Sequence, residues 1–366
     1  MPINLTVEQK DLAETLHQMW AGFAPGEDAW PSIRELGLTE IPFPAVVGGA
    51  DGSFRDLAVV MTGLGRTLAS APFFSSVVMA GLAMLEAADD RTRREVLPDI
   101  VSGSRTAALV CGPTIAGSSI SATAADPAGA GSAGGGDLIL FGTQHAVVDG
   151  ASADLLVVVV PTGSSGVDLA LVEGSAAGVE RTVGEQLDGT RQLATVTFHG
   201  AVARRISGPD VAARLADVRS RILIALAAEQ VGLARSCLEL AVDYARTRQQ
   251  FGRTIGSFQG IKHKLVDLLV AIELAEATVL DASGEAGRGE AGRGAAELAD
   301  RAAAARVLAT RAAMTAAEES IQVHGGIGFT WEHPLHHYFR RAKADQLLFG
   351  DDAVHVQAVG RSLTAS

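Results

Sequence analysis

The hydrophobic pattern of this chain changes period twice, and the order of those periods limits the folds open to it more than any other feature. Helical spacing governs roughly the first hundred residues, short apolar runs of strand character follow, and helical spacing then returns. At 366 residues the chain exceeds the usual size of a single hydrophobic core, so separate domains are expected. The pattern predicts a helical domain at 1–105, a β domain at 106–207 and a helical bundle at 208–366.

Helix signals are clearest toward the two ends of the chain. Thr6 and Gln9 have the spacing of a capping box, and apolar residues recur after them at helical intervals. A second helix is predicted over 55–68. Beyond Pro209 the spacing predicts a long helix, then one over 259–281 and an alanine-rich one over 296–323. A tandem Glu-Ala-Gly-Arg-Gly repeat at 285–294 predicts an inter-helix loop.

Short apolar runs bounded by turn residues fill the middle of the chain. They lie at 107–111, 137–141, 153–160, 169–171 and 194–198. Closely spaced strands without helices between them favour an antiparallel sandwich or barrel over a doubly wound parallel sheet. Residues 124–136 are nearly all Ala, Gly, Ser and Pro, which predicts a flexible hairpin loop.

One constellation in the C-terminal third indicates ligand chemistry. Residues 248–252 are Arg-Gln-Gln-Phe-Gly, Gln259 follows, and residues 322–329 are Gln-Val-His-Gly-Gly-Ile-Gly-Phe. An arginine suits phosphate charge, a phenylalanine offers an apolar surface, and glycines allow close backbone approach. These positions resemble the flavin-binding signature of acyl-CoA dehydrogenases. In that family the turn and the Gly-Gly loop of one subunit close over the adenosine end of an FAD held mainly by its neighbour.

The resemblance covers nearly the whole chain and implies a fold, a reaction and a set of ligands. The fold is α+β, with an N-terminal helical domain, a middle β-sandwich or barrel domain and a C-terminal four-helix bundle. The activity is FAD-dependent α,β-desaturation of an acyl-CoA thioester by a tetramer, with electron-transfer flavoprotein as the electron acceptor. The residues that the resemblance assigns to cofactor binding are Arg248, Phe251, Gln259, Gln322, Gly325, Gly326 and Asp351.

The catalytic base is where this sequence departs from the family. Members remove the α-proton with a carboxylate, usually a Glu just before a Gly-Thr pair, and that position here is Phe349. A minority carry the base on the long helix, at the position of Ile222. Neither side chain accepts a proton. Glu229 is interpreted as structural because it lies almost two helical turns beyond Ile222.

Several explanations stay open. In a homotetramer, Asp351, or else Asp352, supplies the carboxylate after a small loop shift. Alternatively Asp351 keeps only a flavin contact, and the chain is one half of a heterotetramer whose homologous partner subunit carries the base. Residues 330–336, Thr-Trp-Glu-His-Pro-Leu-His, resemble actinobacterial steroid-degrading acyl-CoA dehydrogenases, which are α2β2 pairs. A non-catalytic structural subunit and other flavin chemistry on the same scaffold are the remaining alternatives.

The predicted β domain departs from the family as well. Residues 110–113 and 146–149 stand where members carry Thr-Glu-Pro and aromatic-Ile-Thr or aromatic-Val-Thr segments that touch the isoalloxazine ring. Both the Thr and the aromatic residue are lost. Whether this chain's own β domain holds the flavin ring therefore stays open, as does the identity of the acyl group.

Charge and composition argue against several functional classes. A net charge of −12 and a pI near 5.2 disfavour nucleic acid and anionic membranes as partners. No apolar run has the length of a membrane span and no leader pattern is present, so a cytoplasmic protein is expected. Cys111 and Cys237 are expected to be buried free thiols.

Two further clusters have competing interpretations. His333, His336 and His337 lie close together but lack partners at metal-ligand spacing, so no metal site is predicted. The basic residues at 340, 341 and 343 either meet phosphates of CoA or FAD, or form a solvated helix face.

Overall fold

The computed structural model describes residues 4–115, 117–125, 136–163, 166–286 and 293–365. Helices come first, then strands, then helices again, which confirms the predicted class and order. The α-helices before the first strand are Val7–Trp20 (α1), Trp30–Glu35 (α2), Phe54–Thr67 (α3), Leu82–Ala87 (α4), Asp90–Glu95 (α5) and Leu97–Val101 (α6). A π-helical segment, Phe74–Gly81, leads directly into α4.

Local sequence explains where the first long helices begin. Thr6 caps α1 through the predicted capping box with Gln9, and Ser53 caps α3 in the same way with Asp56. The two helices pack against each other and bury Leu16, Trp20 and Leu57. The π-helical segment was not foreseen, because its run of small and apolar residues fits an ordinary helix equally well.

The middle region is a mixed sheet. Its strands are Ala107–Val110 (β1), Ser121–Ala124 (β2), Leu138–Val148 (β3), Leu155–Thr162 (β4), Gly166–Glu173 (β5), Val179–Val183 (β6) and Leu193–Arg205 (β7). They follow the order β1-β4-β5-β7-β3-β2, with β6 also paired to β7. The expectation of purely antiparallel pairing was wrong for one pair: β1 and β4 are parallel, with Ala107 opposite Leu155.

Alternation along the strands divides the interior into two cores. In β4, Val157 and Val159 face the helices, whereas Leu156, Val158 and Val160 face a second core formed by the strands themselves. A strand buried on both faces has a continuous apolar sequence, which is why β4 was detectable. Strands β2 and β6 are largely exposed and escaped detection.

Long helices make up the C-terminal region. They are Val211–Thr247 (α7), Gln259–Ala286 (α8), Arg293–His324 (α9), Leu335–Leu347 (α10) and Asp352–Ala365 (α11). A two-stranded hairpin of Gln249–Gln250 (β8) and Arg253–Thr254 (β9) joins α7 to α8. The predicted loop at 124–136 and the tandem repeat at 285–294 lie mostly outside the described residues, since 126–135 and 287–292 are not among them.

Helix α7 is the central element, packing on α3, α8 and α9. Gly65 and Gly232 bring α3 and α7 into backbone contact, because a Cβ at Gly232 would lie 2.0 Å from the Thr62 carbonyl oxygen. Ala228 takes part in the same contact, and its carbonyl accepts a hydrogen bond from Thr62 Oγ1 (3.2 Å). None of the helices in the described ranges combines the length and the apolar character needed to cross a bilayer.

Candidate functional site

The hairpin after α7 holds Phe251 out into solvent. Arg248 ends α7, and its backbone N–H donates to the Tyr244 carbonyl (2.8 Å). Phe251 and Gly252 both have positive φ angles, 53° and 77°, as the two central residues of a tight hairpin turn require. The Phe251 side chain is 92% exposed. A residue with a bulky side chain rarely adopts a positive φ. Strain of this kind is typical of functional positions.

Five other predicted cofactor residues lie at the same end of the C-terminal helices. Arg248, Gln259, Gln322, Gly325 and Gly326 are all exposed. A small core formed by Ala241, Ala245 and Val323, with Ile255 packed against it, joins the ends of α7 and α9 to the segment that follows the hairpin. No described atom lies within 4 Å of a Cβ built at Gly325 or Gly326, so a ligand can approach that backbone closely.

Aromatic contacts support this surface from behind. The buried His324 ring stacks on Tyr244 at 4.3 Å, and its Nδ1–H donates to the Ser320 carbonyl (2.8 Å). His333 lies 4.4 Å from His324, and Arg340 lies over the exposed Trp331 ring at 4.3 Å. Burial and the neighbouring charges lower the pKa of His333, His336 and His337. These histidines therefore serve as neutral aromatic packing groups at pH 7.

Asp351 is not part of that surface. Its neighbour Asp352 lies near Arg311 of α9 (3.7 Å), and Arg311 is about 20 Å along the helix from Gly325 at 1.5 Å per residue. Asp351 is exposed, and its Oδ1 accepts the Val354 N–H (3.2 Å) at the start of α11. In a single chain, Asp351 and the other six predicted cofactor residues thus form two separate places.

Both positions expected for a base are filled by apolar side chains of the core. Phe349 is 7% exposed and Ile222 is fully buried. Phe349 has a φ of 61° and is followed by Gly350 at 105°, so the chain turns sharply here. No proton acceptor stands at either position.

The segments expected beside a flavin ring are occupied by protein contacts. Asp149 Oδ2 accepts a hydrogen bond from Ser75 Oγ (2.6 Å), and burial raises the pKa of Asp149. At the end of β1, a Cβ added to Gly112 would lie 2.1 Å from the Gly117 carbonyl oxygen. The Asp149 carboxyl is thus already engaged by the N-terminal helices.

A buried ion network, defined here as Asp188, Arg191, Glu229, Arg341 and Asp345, joins the sheet to α7 and α10. Glu229 accepts from Arg191 Nη2 (2.5 Å) and from Arg341 Nη2 (2.7 Å). Arg191 Nη1 also donates to Asp345 Oδ1 (2.7 Å), and Arg341 Nη1 donates to Asp188 Oδ2 (2.9 Å). Glu229 is therefore structural, as its sequence position had indicated.

Charge imbalance inside this network shifts two pKa values in opposite directions. Burial alone would raise the pKa of Glu229, but the two guanidinium groups hold it below its ordinary value. For Asp345, burial and the nearby carboxylates outweigh the arginines and raise the pKa to about 7. Asp345 therefore holds a proton more readily than an ordinary aspartate does.

For Arg341, the network corrects the sequence interpretation of the basic cluster at 340–343. Arg341 is buried against Glu229, so it neither meets a ligand phosphate nor lies on a solvated face. Sequence reasoning missed this role because Glu229 and Asp188, which accept hydrogen bonds from Arg341, lie more than a hundred residues away along the chain. The available signal was a charged residue, Glu229, inside an otherwise apolar stretch of α7.

Comparisons with known proteins match most of the chain to one family. A family model described as the acyl-CoA dehydrogenase N-terminal domain matches residues 7–104, and one described as the acyl-CoA dehydrogenase C-terminal domain matches residues 218–364. The chain is 34% identical over 319 residues to acyl-CoA dehydrogenase IpdE2 of Mycobacterium tuberculosis (strain ATCC 25618 / H37Rv), covering 86% of this chain and 80% of that protein.

Two solved structures are similar over essentially their full length. The first is the ChsE4-ChsE5 complex from Mycobacterium tuberculosis, with 25% identity, a TM-score of 0.84 and complete coverage of both chains. The second is a variant of the Tcur3481-Tcur3483 steroid ACAD, with 26% identity, a TM-score of 0.83 and 98% coverage of both chains.

Proposed function

The chain belongs to the acyl-CoA dehydrogenase family, and we propose that it is one subunit of a heteromeric, FAD-dependent acyl-CoA dehydrogenase whose base lies on a homologous partner. One contrast carries this proposal. The residues that would close over a neighbour's flavin are exposed, whereas both positions for a base in this chain are apolar and buried.

FAD, when bound, supplies the hydride acceptor for α,β-desaturation. The residues present fit its adenosine end. Arg248 carries a charge for the pyrophosphate, Phe251 offers an exposed ring, and the open backbone at Gly325 and Gly326 admits close approach. Gln259 and Gln322, exposed at the same end of the C-terminal helices, add amide groups that can form hydrogen bonds.

The ring end of the cofactor fits this chain poorly. Asp149 is bonded to Ser75, the Thr-Glu-Pro segment has become Cys111-Gly112-Pro113, and Phe349 occupies the usual base position. We therefore assign this chain the role of closing a flavin site whose ring is held by the partner. Its contribution is to neutralise phosphate charge and to exclude water from one side of that site.

The names of the relatives suggest the substrate and the assembly. One similar structure is a complex of two proteins, and the other is called a steroid ACAD. We propose a steroid-derived acyl-CoA thioester as substrate, an α2β2 assembly, electron-transfer flavoprotein as electron acceptor, and a cytoplasmic location. Shared flavin sites require at least two subunits.

A homotetramer that uses Asp351 as its base is the second candidate. The observation in its favour is that Asp351 is exposed only two residues beyond Phe349. Its carboxylate accepts the Val354 N–H and so caps the N-terminus of α11. This structural role explains the presence of Asp351 without catalysis.

Substitution of Asp351 in the purified enzyme separates the two candidates. We expect Asp351→Asn to leave turnover of the flavin-loaded enzyme near the parental level, with Asp352→Asn as the matched control. Replacing the partner's glutamate base by glutamine should lower kcat by a factor of about 10² to 10⁴. Loss of turnover in Asp351→Asn with flavin still bound would instead identify Asp351 as the base.

A further inference from the structure

Arg219 lies between the two positions at which the family carries its base. It is one turn before Ile222 on the same face of α7. Its Nη2 atom lies 3.4 Å from the carbonyl oxygen of Phe349, at the long limit for a hydrogen bond. The side chain is partly exposed, so a ligand can reach it from solvent.

Within the described part of the chain, no carboxylate pairs with Arg219. Its Nε atom is buried without a hydrogen-bond partner, and burial alone lowers the pKa of the guanidinium. The Nε atoms of Arg221 and Arg214 also lack a partner, but these two arginines have a counter-ion: Arg221 donates to Glu86 (2.5 Å) and Arg214 lies 4.0 Å from the same carboxylate. A desolvated cation without a counter-ion is costly to hold, so the position favours an anion.

A second polar group with unused hydrogen-bonding capacity lies beside the sharp turn of the chain at Phe349 and Gly350. His355 is buried, its Nε2 atom has no partner, and that atom would lie 3.5 Å from a Cβ at Gly350. Burial and the charges of Arg306 and Arg219 lower the pKa of His355 to about 4, so the ring is neutral at pH 7. Unsatisfied polar atoms therefore flank Phe349 and Gly350, at the position where the family carries its base.

We propose that Arg219 binds an oxyanion of the thioester ligand, either a carboxylate on the acyl group or a phosphate of CoA. The planar guanidinium suits both, since it can donate two parallel hydrogen bonds to either group. Although the base position is lost, this subunit thereby retains a charged recognition element for its ligand. The inference rests on the proposed function, because it assumes that the ligand is an acyl thioester.

Three ligands distinguish the two sources of the anion. Valeryl-CoA carries only the CoA phosphates, glutaryl-CoA adds an acyl carboxylate, and valeryl-pantetheine carries neither. Their binding to the purified assembly is measured by titration calorimetry for the parent, Arg219→Gln and Arg219→Lys. Arg214→Gln is the matched control, since it removes a nearby α7 arginine that lies close to Glu86.

At the sites that this subunit supplies, Arg219→Gln is expected to weaken binding about tenfold or more for the ligands that carry the relevant anion. Loss confined to glutaryl-CoA assigns the acyl carboxylate, and equal loss for both CoA esters assigns the CoA phosphate. Arg219→Lys should recover part of the affinity. Arg214→Gln should change none of the three, and the thermal midpoint of Arg219→Gln should stay at the parental value because no ion pair is lost.

Unchanged affinity of Arg219→Gln for all three ligands overturns the inference, and so does the absence of thioester binding at this subunit's sites. Equal loss for every ligand together with a lowered thermal midpoint also overturns it, because it indicates a structural role. Flavin content and turnover of the same assembly test the proposed function separately. An active, flavin-loaded assembly that is indifferent to Arg219 rejects this inference alone.

Discussion

A glutamate inside an apolar helix is expensive to bury unless cations meet both of its oxygens. Glu229 satisfies that condition, with Arg191 on one oxygen and Arg341 on the other. The two arginines come from different elements, one from the sheet side and one from α10. At the scale of single residues, this carboxylate therefore holds α7 to α10 and to the segment before β7. It does not act as a proton acceptor for substrate.

Removing the charge of Glu229 should be strongly destabilising. Glu229→Gln removes the carboxylate that both buried guanidinium groups share and is expected to cost about 3 to 5 kcal/mol of unfolding free energy, measured by urea denaturation. The control is Glu239→Gln, whose carboxylate is 53% exposed and pairs with Arg66; it should cost about 1 kcal/mol or less. Equal losses in the two variants would show that the buried carboxylate of Glu229 stabilises the fold no more than an exposed one does.

Asp345 should make stability depend on pH. Its ordinary pKa is 3.8 and burial raises it to about 7, so the folded state holds this proton more tightly than the unfolded state. Its contribution to stability is therefore complete below about pH 4, falls as pH rises toward 7 and is constant above, by up to about 1.4 kcal/mol per pH unit. Asp345→Asn lacks this penalty.

The measurement is the difference in unfolding free energy between Asp345→Asn and the parent from pH 5 to pH 8. That difference should shift in favour of the variant as pH rises to about 7 and then level off. Asp243→Asn is the control, because it replaces an exposed aspartate that lies outside the network. A flat difference for Asp345→Asn would mean that this carboxyl is ionised throughout.

Among the elements, the contact between α3 and α7 depends on two glycines. A methyl group on Gly232 would lie 2.0 Å from the Thr62 carbonyl oxygen, and one on Gly65 would lie 1.9 Å from the Glu229 carbonyl oxygen. Backbone cannot move aside as the end of a flexible side chain does. The two helices must separate to admit either methyl group.

Gly232→Ala is accordingly expected to destabilise the protein by about 3 kcal/mol, as strong overpacking does. Gly260→Ala is the matched control, since Gly260 also lies in a helix but has no atom within 4 Å of the added carbon. That control should stay within about 1 kcal/mol of the parent or gain stability, because alanine favours helix. Thermal denaturation of both variants decides the matter, and a tolerated Gly232→Ala would contradict the close contact.

We predict that the hairpin of β8 and β9 serves a site on a partner subunit. Phe251 is 92% exposed, so Phe251→Ser should change the stability of the isolated chain by less than about 0.5 kcal/mol. In the assembly the same change should weaken flavin retention about tenfold, the loss expected for one buried aromatic contact. Val46→Ser, at another exposed apolar position, should affect neither quantity; unchanged flavin retention in Phe251→Ser would remove the hairpin from the site.

Across the whole molecule, sequence was most informative where the signals were local. The capping box at Thr6, the continuous apolar run of β4 and the long stripe of α7 each reveal their element without tertiary knowledge. The exposed strands β2 and β6 carry no such stripe, and the parallel pairing of β1 with β4 joins segments separated by two other strands. Such long-range pairings leave no local trace.

The candidate site shows the same difference between local and long-range sequence signals. The exposed hairpin and the open Gly-Gly backbone follow from a recognisable motif, whereas the network of Glu229, Arg191 and Arg341 is assembled from three distant segments. Cofactor roles for Arg248, Phe251 and Asp351 remain predictions. Asp351 and the hairpin lie apart within one chain, so a flavin that met both would have to be shared between two subunits.

One measurement tests most directly whether the flavin ring and the base reside on this chain or on its partner. The full chain is purified alone, its bound flavin per subunit is determined from the visible spectrum, and acyl-CoAs are added under anaerobic conditions. We predict substoichiometric flavin that no thioester bleaches, with flavin and bleaching restored when the homologous partner is co-expressed. Near-stoichiometric flavin that is bleached by a thioester in the chain alone would contradict the claim and establish a self-sufficient dehydrogenase.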